Sequence, residues 1–244
     1  MNYSRAELMA LVFARALRDG DVVVTGTRAT LPSAAYRVAQ LCGKARVTAL
    51  IGGTGTLDPS VEPVPESGGD QRFLSGRVTL DLATGIADQL RGLVDVIFLG
   101  ALQVDRHGRI NLAVVGDYRR PRLRGPGSIG LSMVASVKRC FMFFDSHEPR
   151  VFVERVDFVS GETIGGDREL LVVTPLGVLG SAPGRDTLEL KSLHPGVAFE
   201  EIQQRTGFEL DHRAYVPTPA PSAEELAALR SLPDGRRLAA MKLA

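Results

Sequence analysis

Two short apolar runs, Arg46–Ile51 and Val94–Leu99, each closed by glycine, constrain this chain more than any other feature. Ala49-Leu50-Ile51 and Val96-Ile97-Phe98-Leu99 carry no polar alternation, which is how strands buried on both faces read. Each meets glycine at once, at Gly52-Gly53-Thr54-Gly55 and at Gly100. Helical stretches precede the first of these runs. Ser4 and Glu7 have capping-box spacing, and Leu8, Leu11, Val12 and Ala16 make an apolar face that Gly20 ends. A buried strand over Asp21–Val24 and a helix over Pro32–Leu41 follow. Strand, helix, strand in this order predicts an α/β fold, with an open, mostly parallel sheet flanked by helices.

Further along, Thr56–Gln71 is rich in Pro, Gly and acidic residues and is too long for a plain connector, which predicts a functional lid. A helix is expected near Leu82–Leu93. Asp105-Arg106-His107-Gly108 has hairpin-turn chemistry between Leu102-Gln103-Val104 and Ile110-Asn111-Leu112. Strands are expected at Cys140–Phe144, Val151–Val156, Leu170–Thr174 and Val178–Ser181, and terminal helices near Ala198–Thr206 and Ser222–Leu232. With 244 residues, no repeat and no linker between independent segments, residues 1–244 are expected to form one domain or two closely packed lobes.

Charge then removes whole classes of function. The 29 basic and 28 acidic residues nearly cancel, so the general attraction of a nucleic-acid or anionic-membrane binder is missing, and any anionic ligand must be held locally. Trp is absent and aromatics are 6%, too few for base-stacking platforms. The N-terminus lacks a basic flank before an apolar core, and no apolar run reaches the ~20 residues of a membrane span. Cys42 and Cys140 each sit in an apolar run and read as buried reduced thiols, which predicts a cytoplasmic address. His107, His147, His194 and His212 show no metal-ligand spacing, so no metal is expected.

Chemistry is therefore sought where strands meet glycine. In open α/β sheets the carboxyl edge of parallel strands binds ligands, and glycine lets backbone N–H groups approach a phosphate or a developing oxyanion. Tight turns alone explain the same residues. Gly52–Gly55 is not a dinucleotide fingerprint, because no glycine stands at Leu57 or Asp58, and no P-loop occurs.

Order raises the signal. Val61-Glu62-Pro63-Val64-Pro65, Gly69-Asp70-Gln71-Arg72-Phe73, Phe98 to Asp105, Gly108-Arg109-Ile110-Asn111, Gly116-Asp117-Tyr118 and Thr206 to Asp211 follow one another as in the beta subunit of glutaconate-type class I CoA-transferases, which the chain resembles over nearly its whole length. The resemblance implies the CoA-transferase fold, pairing with a homologous alpha subunit as a heterotetramer of two alpha and two beta chains, an active site at their junction, and an acyl-CoA substrate. No cofactor is implied beyond coenzyme A as part of that thioester.

Two departures stand out. Those transferases attack the thioester with a glutamate, and the matching position here is Gly53, with no carboxylate at Gly52, Thr54 or Gly55. Asp58 and Glu62 are the nearest substitutes. Where the family carries Gly-x-Gly-Gly-Ala against CoA, this chain has Gly127-Ser128-Ile129-Gly130-Leu131, keeping Gly127 and Gly130 only. Both departures resemble the branch that hydrolyses a CoA thioester to open a ring in late steroid catabolism. By that resemblance water replaces the enzyme carboxylate, the general base comes from the alpha subunit, and no catalytic residue is assigned within this chain. Gly52, Gly53, Thr54, Gly55, Gly100, Gln103, Asp117, Tyr118, Gly127, Ser128 and Gly130 are the substrate-binding candidates. The basic run Arg119, Arg120, Arg122 and Arg124 reads as a CoA-phosphate or subunit contact, or as a solvated loop. A transferase whose carboxylate has moved, and a non-catalytic ligand-sensing module, are the alternatives.

Overall fold

The computed structural model describes residues 2–26, 30–44, 46–59, 61–62, 64–75, 78–79, 81, 92–127 and 130–243. In chain order the elements used below are α1 (Arg5–Ala16), β1 (Val22–Thr25), α2 (Thr30–Leu41), β2 (Thr48–Ile51), β3 (Thr56–Leu57), β4 (Val78–Thr79), β5 (Val96–Leu99), β6 (Gln103–Val104), β7 (Arg109–Asn111), β8 (Val114–Gly116), β9 (Pro121–Arg124) and α3 (Leu131–Val134). They continue as β10 (Arg139–Phe143), β11 (Gly161–Glu162), β12 (Glu169–Val173), β13 (Gly177–Ser181), β14 (Glu189–Leu193), α4 (Phe199–Gln204), β15 (Val216–Pro217), α5 (Ala223–Ser231) and α6 (Pro233–Ala240). The chain forms two compact units, Met1–Phe98 with Ala220–Leu243, and Leu99–Pro219.

In the first unit the strands run β5-β1-β2-β3-β4. The centre is parallel, with Val22↔Thr48 to Thr25↔Ile51 between β1 and β2, and Val23↔Val96 between β1 and β5. Strands β3 and β4 are then added antiparallel. Val23, Ala49, Ile51 and Val96 are fully buried, as uniformly apolar strands require. Helix α1 packs on α2, and α2 on α6.

The predicted capping box exists, since the Glu7 N–H donates to Ser4 Oγ at 3.1 Å and Glu7 Oε2 accepts the Ser4 N–H at 2.7 Å. A second box at Ser222 and Glu225 starts α5. Each box glutamate also accepts from an arginine of the other helix, Glu7 from Arg230 Nε at 2.7 Å and Glu225 from Arg15 Nε at 2.7 Å. The Arg15 bond holds the Glu225 carboxyl down at about 2.

In the second unit the order is β15-β14-β13-β12-β10, with β10 and β12 parallel from Arg139↔Glu169 to Phe143↔Val173 and β13 and β14 antiparallel. The expected hairpin forms with Gln103 opposite Asn111 and Val104 opposite Ile110. Asp105 makes its turn: Oδ1 accepts the His107 and Arg109 N–H groups at 3.0 and 3.2 Å, and Oδ2 accepts Arg109 Nε at 2.7 Å.

Several expectations change. Val151–Val156 is not a strand, and contributes one bridge from Phe152 to Val104. Strand β14 and the β8–β9 hairpin had not been expected, because Glu189-Leu190-Lys191 and Pro121-Arg122-Leu123-Arg124 are too polar to read as buried strands. Helix α6 was missed too, although Pro233 at its first position is a start signal. Both cysteines are unpaired, and Cys140 is buried, but Cys42 is exposed because the apolar run of α2 ends in solvent beside the exposed Leu41. The helix expected at Leu82–Leu93 lies, but for its last two residues, outside the described residues. No helix among the described residues is long and apolar enough to cross a membrane.

His147 is a packing residue. Its ring is fully buried, stacks on Phe152 with centroids 3.9 Å apart, and places both nitrogens 2.9 Å from hydroxyls, Nδ1 at Thr174 and Nε2 at Thr206. Burial, with a smaller push from Arg205, lowers it to about 3. Its folded value lies below the unfolded ~6.5, so the unfolded chain binds the extra proton between these limits. His147 will therefore weaken the fold as pH falls from ~6.5 towards ~3, by up to ~1.4 kcal/mol per pH unit, and will have no effect above that window. Urea unfolding of wild type and His147→Gln across pH 4–7 checks this, since the variant should lose that slope.

Candidate functional site

Strand β2 ends in a hairpin turn. Residues 52–55 join Ile51 to its partner Thr56, and Gly55 closes the turn at φ 69, in the left-handed region that glycine enters without strain. The N–H groups of Thr54 and Gly55 donate to Ile51 O at 3.2 and 2.8 Å, and the Gly52 N–H donates to Thr25 O at 2.9 Å. Those three donors are spent inside the protein. Among the described residues the Gly53 N–H meets no acceptor, and Gly53 is exposed.

The α-carbon of Gly53 has no room for a side chain. A Cβ there would stand 2.5 Å from Gly68 O, 2.6 Å from Gly68 C and 2.8 Å from Gly69 N. Gly68 in turn approaches Gly26, where a Cβ on Gly68 would lie 3.1 Å from Gly26 O. Three glycines thus pack backbone to backbone past the ends of β1 and β2. Elsewhere in the segment, Val64 is buried with Ile51 and Phe73, its N–H donates to Asp234 Oδ1 at 3.2 Å, and its carbonyl accepts from Arg237 Nη1 at 3.1 Å. The expected lid is therefore anchored at Val64 and drawn across Gly53.

The carboxylates of this segment are engaged. Asp58, at φ 42, accepts the Ala49 N–H at 2.8 Å, and Glu62 pairs with Arg37, which also bonds the fully buried Asp234 at 3.3 Å. Burial raises the Asp234 carboxyl against the opposing pull of Arg37. Glu66 accepts the Thr30 hydroxyl. Asp70, chelated by Arg72 at 2.8 Å, is held down at about 2. Both substitutes considered for the missing carboxylate, Asp58 and Glu62, thus have structural partners.

In the second unit a buried amide network underlies the arm β8–β9. Asn111 Nδ2 donates to Gln103 Oε1 at 2.8 Å and to Val114 O at 2.6 Å, and Asn111 Oδ1 accepts the Ala113 and Val114 N–H groups. Gln103 Nε2 donates to Asp157 Oδ2 at 3.2 Å, and that carboxylate also accepts the Gly116 N–H at 2.7 Å. The Gln103 side chain is thereby buried and bonded at both ends. Asp117 Oδ1 accepts the N–H groups of Arg119 and Arg120, shaping the tip of the arm. Tyr118 is 56% exposed, stacks on Phe158 and carries the Arg124 guanidinium 5.2 Å from its ring centre. Gly127 and Gly130 hold φ 82 and 77, so they supply the left-handed turns that their positions need. Gly100 has Phe143 O as the nearest atom to a Cβ, at 3.8 Å. Ser128 lies outside the described residues.

The model of the family described as Coenzyme A transferase matches residues 6–205. This chain belongs to the coenzyme A transferase family. It is 33% identical to the beta subunit of 3-oxoadipate CoA-transferase of Pseudomonas knackmussii, over 94% of this chain and 93% of that protein. It is 29% identical to the cholesterol ring-cleaving hydrolase IpdB subunit of Mycobacterium tuberculosis, over 96% of each. Among solved structures, the decarboxylase AibA/AibB superposes with a TM-score of 0.82 at 29% identity, covering 95% of both chains. These relatives bear out the α/β fold and the family resemblance.

Within this coenzyme A transferase chain, sequence reasoning placed Gly52–Gly55 correctly in one turn but missed the residues that close on it, Gly68 and Gly69, and those that hold the strap behind them, Gly26 and Glu66 through Thr30. The signal was present in Gly68-Gly69, since paired glycines in a Pro-rich segment mark close backbone approach. It also missed Asp157, whose link to Gln103 joins residues 54 positions apart.

Proposed function

We propose that this chain is the beta subunit of a two-subunit enzyme that opens the ring of a cyclic β-keto coenzyme A thioester by hydrolysis, the retro-Claisen step of late steroid breakdown. It works in the cytoplasm with a homologous alpha subunit, as a heterotetramer of two alpha and two beta chains. The observation that carries this reading is the closure of Gly53 by the Gly68-Gly69 backbone, which leaves no place for an attacking side chain. The engaged carboxylates of Asp58, Glu62, Glu66 and Asp70 support it.

Water attacks the ring ketone, assisted by a base from the alpha subunit. The bond from the former ketone carbon to the α-carbon breaks, its electron pair becomes the thioester enolate, and a proton returns to that carbon. The former ketone carbon becomes a carboxylate at the other end of the opened ring. The exposed Gly53 N–H donates to one of the two oxygens that gain charge, and a single well-placed donor of this kind is worth ~10²–10³ in rate. Gly52, Thr54 and Gly55 flank it in the same turn, and Gly100, Tyr118, Gly127 and Gly130 are the coenzyme contacts that the family resemblance implies. Gln103 and Asp117 shape the arm from behind.

A transferase reading is favoured by the 33% identity to a 3-oxoadipate CoA-transferase chain. One experiment separates the two: the co-expressed complex with a polycyclic β-keto acyl-CoA in ¹⁸O-water. One labelled oxygen in the new carboxylate and no borohydride-trapped glutamyl thioester is the expected result. CoA exchange between acyl groups through a trapped adduct on this subunit would overturn the hydrolase assignment.

A further inference from the structure

The segment across Gly53 is fastened at two kinds of point. At one end Val64 is fixed through both backbone groups to Asp234 and Arg237, and at the other Phe73 is fully buried against Ile51. Between them Pro65 is buried beside Val64, Glu66, Ser67 and Gly69 are exposed, and Gly68 is buried against Gly53 and Gly26. Neither glycine there has a side chain to lock it by packing. Among the described residues, the side-chain hydrogen bond from this stretch to the rest of the unit is that of the Glu66 carboxylate, which accepts the hydroxyl of Thr30, the first residue of the 12-residue helix α2. A carboxylate at that end also meets the positive pole of the helix.

We infer that Glu66 is a positioning residue. Its bond to Thr30 latches the strap 66–69 across Gly53, and the latched strap sets both the presentation of the Gly53 N–H and the space left beside it for an acyl group. The effect on turnover rests on the function proposed above, whereas the latch itself does not. Ser67 O and Ser67 Oγ accept the N–H groups of Asp70 and Gly69 at 3.1 and 3.3 Å, so the strap's own turn reports its order.

The test is hydrogen–deuterium exchange of the full chain in complex with its partner, read on peptides covering 64–75, with free coenzyme A affinity and Tm as companions. In Glu66→Ala and in Thr30→Val the Gly69 and Asp70 amides should exchange at least tenfold faster, and the double variant should be no faster than either single one. Glu66→Gln and Thr30→Ser, which keep an acceptor and a hydroxyl, should stay within about threefold of wild type. Tm should shift by no more than ~3 °C, and coenzyme A affinity by less than threefold, because the strap lies against the acyl side. Unchanged exchange in Glu66→Ala, or additive effects in the double variant, overturns the latch. If exchange responds while ring opening is absent in the wild-type complex, the latch stands and the hydrolase assignment fails.

Discussion

Gly53→Glu will give a protein that forms no glutamyl thioester, despite restoring a carboxylate at the position where transferases keep one. The Cβ alone meets Gly68 O, Gly68 C and Gly69 N at 2.5–2.8 Å, and these are backbone atoms that cannot rotate away. Either the side chain forces the strap off Gly53, or the turn 52–55 distorts and its hydrogen bonds to Ile51 O and Thr25 O lengthen. Overpacking of this kind costs ~1–3 kcal/mol, and the new carboxylate adds a desolvation cost if it stays beneath the strap. The proposed ring opening should fall by at least ~100-fold, because the donor assigned to it at Gly53 moves. Borohydride trapping followed by mass spectrometry of this subunit checks the chemistry, and urea unfolding checks the cost. Gly69→Ala is the control: its Cβ would meet only Ser67 Oγ, at 3.8 Å, and both activity and stability should be close to wild type. A trapped adduct on Glu at position 53 would show that the strap yields readily and that closure of Gly53 does not decide the mechanism.

The second large effect lies away from the site. Gly235→Ala should destabilise the chain by ~3 kcal/mol or more, lowering Tm by roughly 6–12 °C for a protein of this size. Helix propensity argues the other way, since alanine in the first turn of α6 would gain ~1 kcal/mol over glycine. Sterics decide the sign. An added methyl would collide with Leu229 O, stand 2.6 Å from Leu229 C and 3.2 Å from Leu229 Cγ, at the tight corner between α5 and α6. Relief would require α6 to shift, and its buried Asp234 would carry Arg37 and the Val64 N–H with it. Loss of the Val64 anchor should then speed exchange in the strap as well. Thermal unfolding followed by circular dichroism measures the effect, and a Tm within ~2 °C of wild type would show that the corner relaxes freely.

Much of the architecture was legible because it rests on local patterns. The mostly parallel sheet followed from apolar runs separated by helical stretches, α1 from its capping box, and the hairpin of β6 and β7 from the chemistry of the Asp105 turn. The failures share a cause. Residues 151–156 look like a strand, but position the chain to bridge only at Phe152, while β14, with charged side chains on one face, hid behind its polarity. Cys42 was misplaced because an apolar run says what a residue resembles and not where its helix ends.

Sequence order by itself determined the family, the α/β class and the absence of a carboxylate at position 53, because these depend on residue identity and spacing along the chain. Only the tertiary structure decided that Gly53 is closed by the backbone of Gly68 and Gly69, that Glu66 reaches Thr30, and that Glu62 and Asp234 share Arg37. Such contacts join residues 15 to 197 positions apart. No local pattern encodes them, since glycine has no side chain to announce a partner and a carboxylate looks alike whether it is bonded or free.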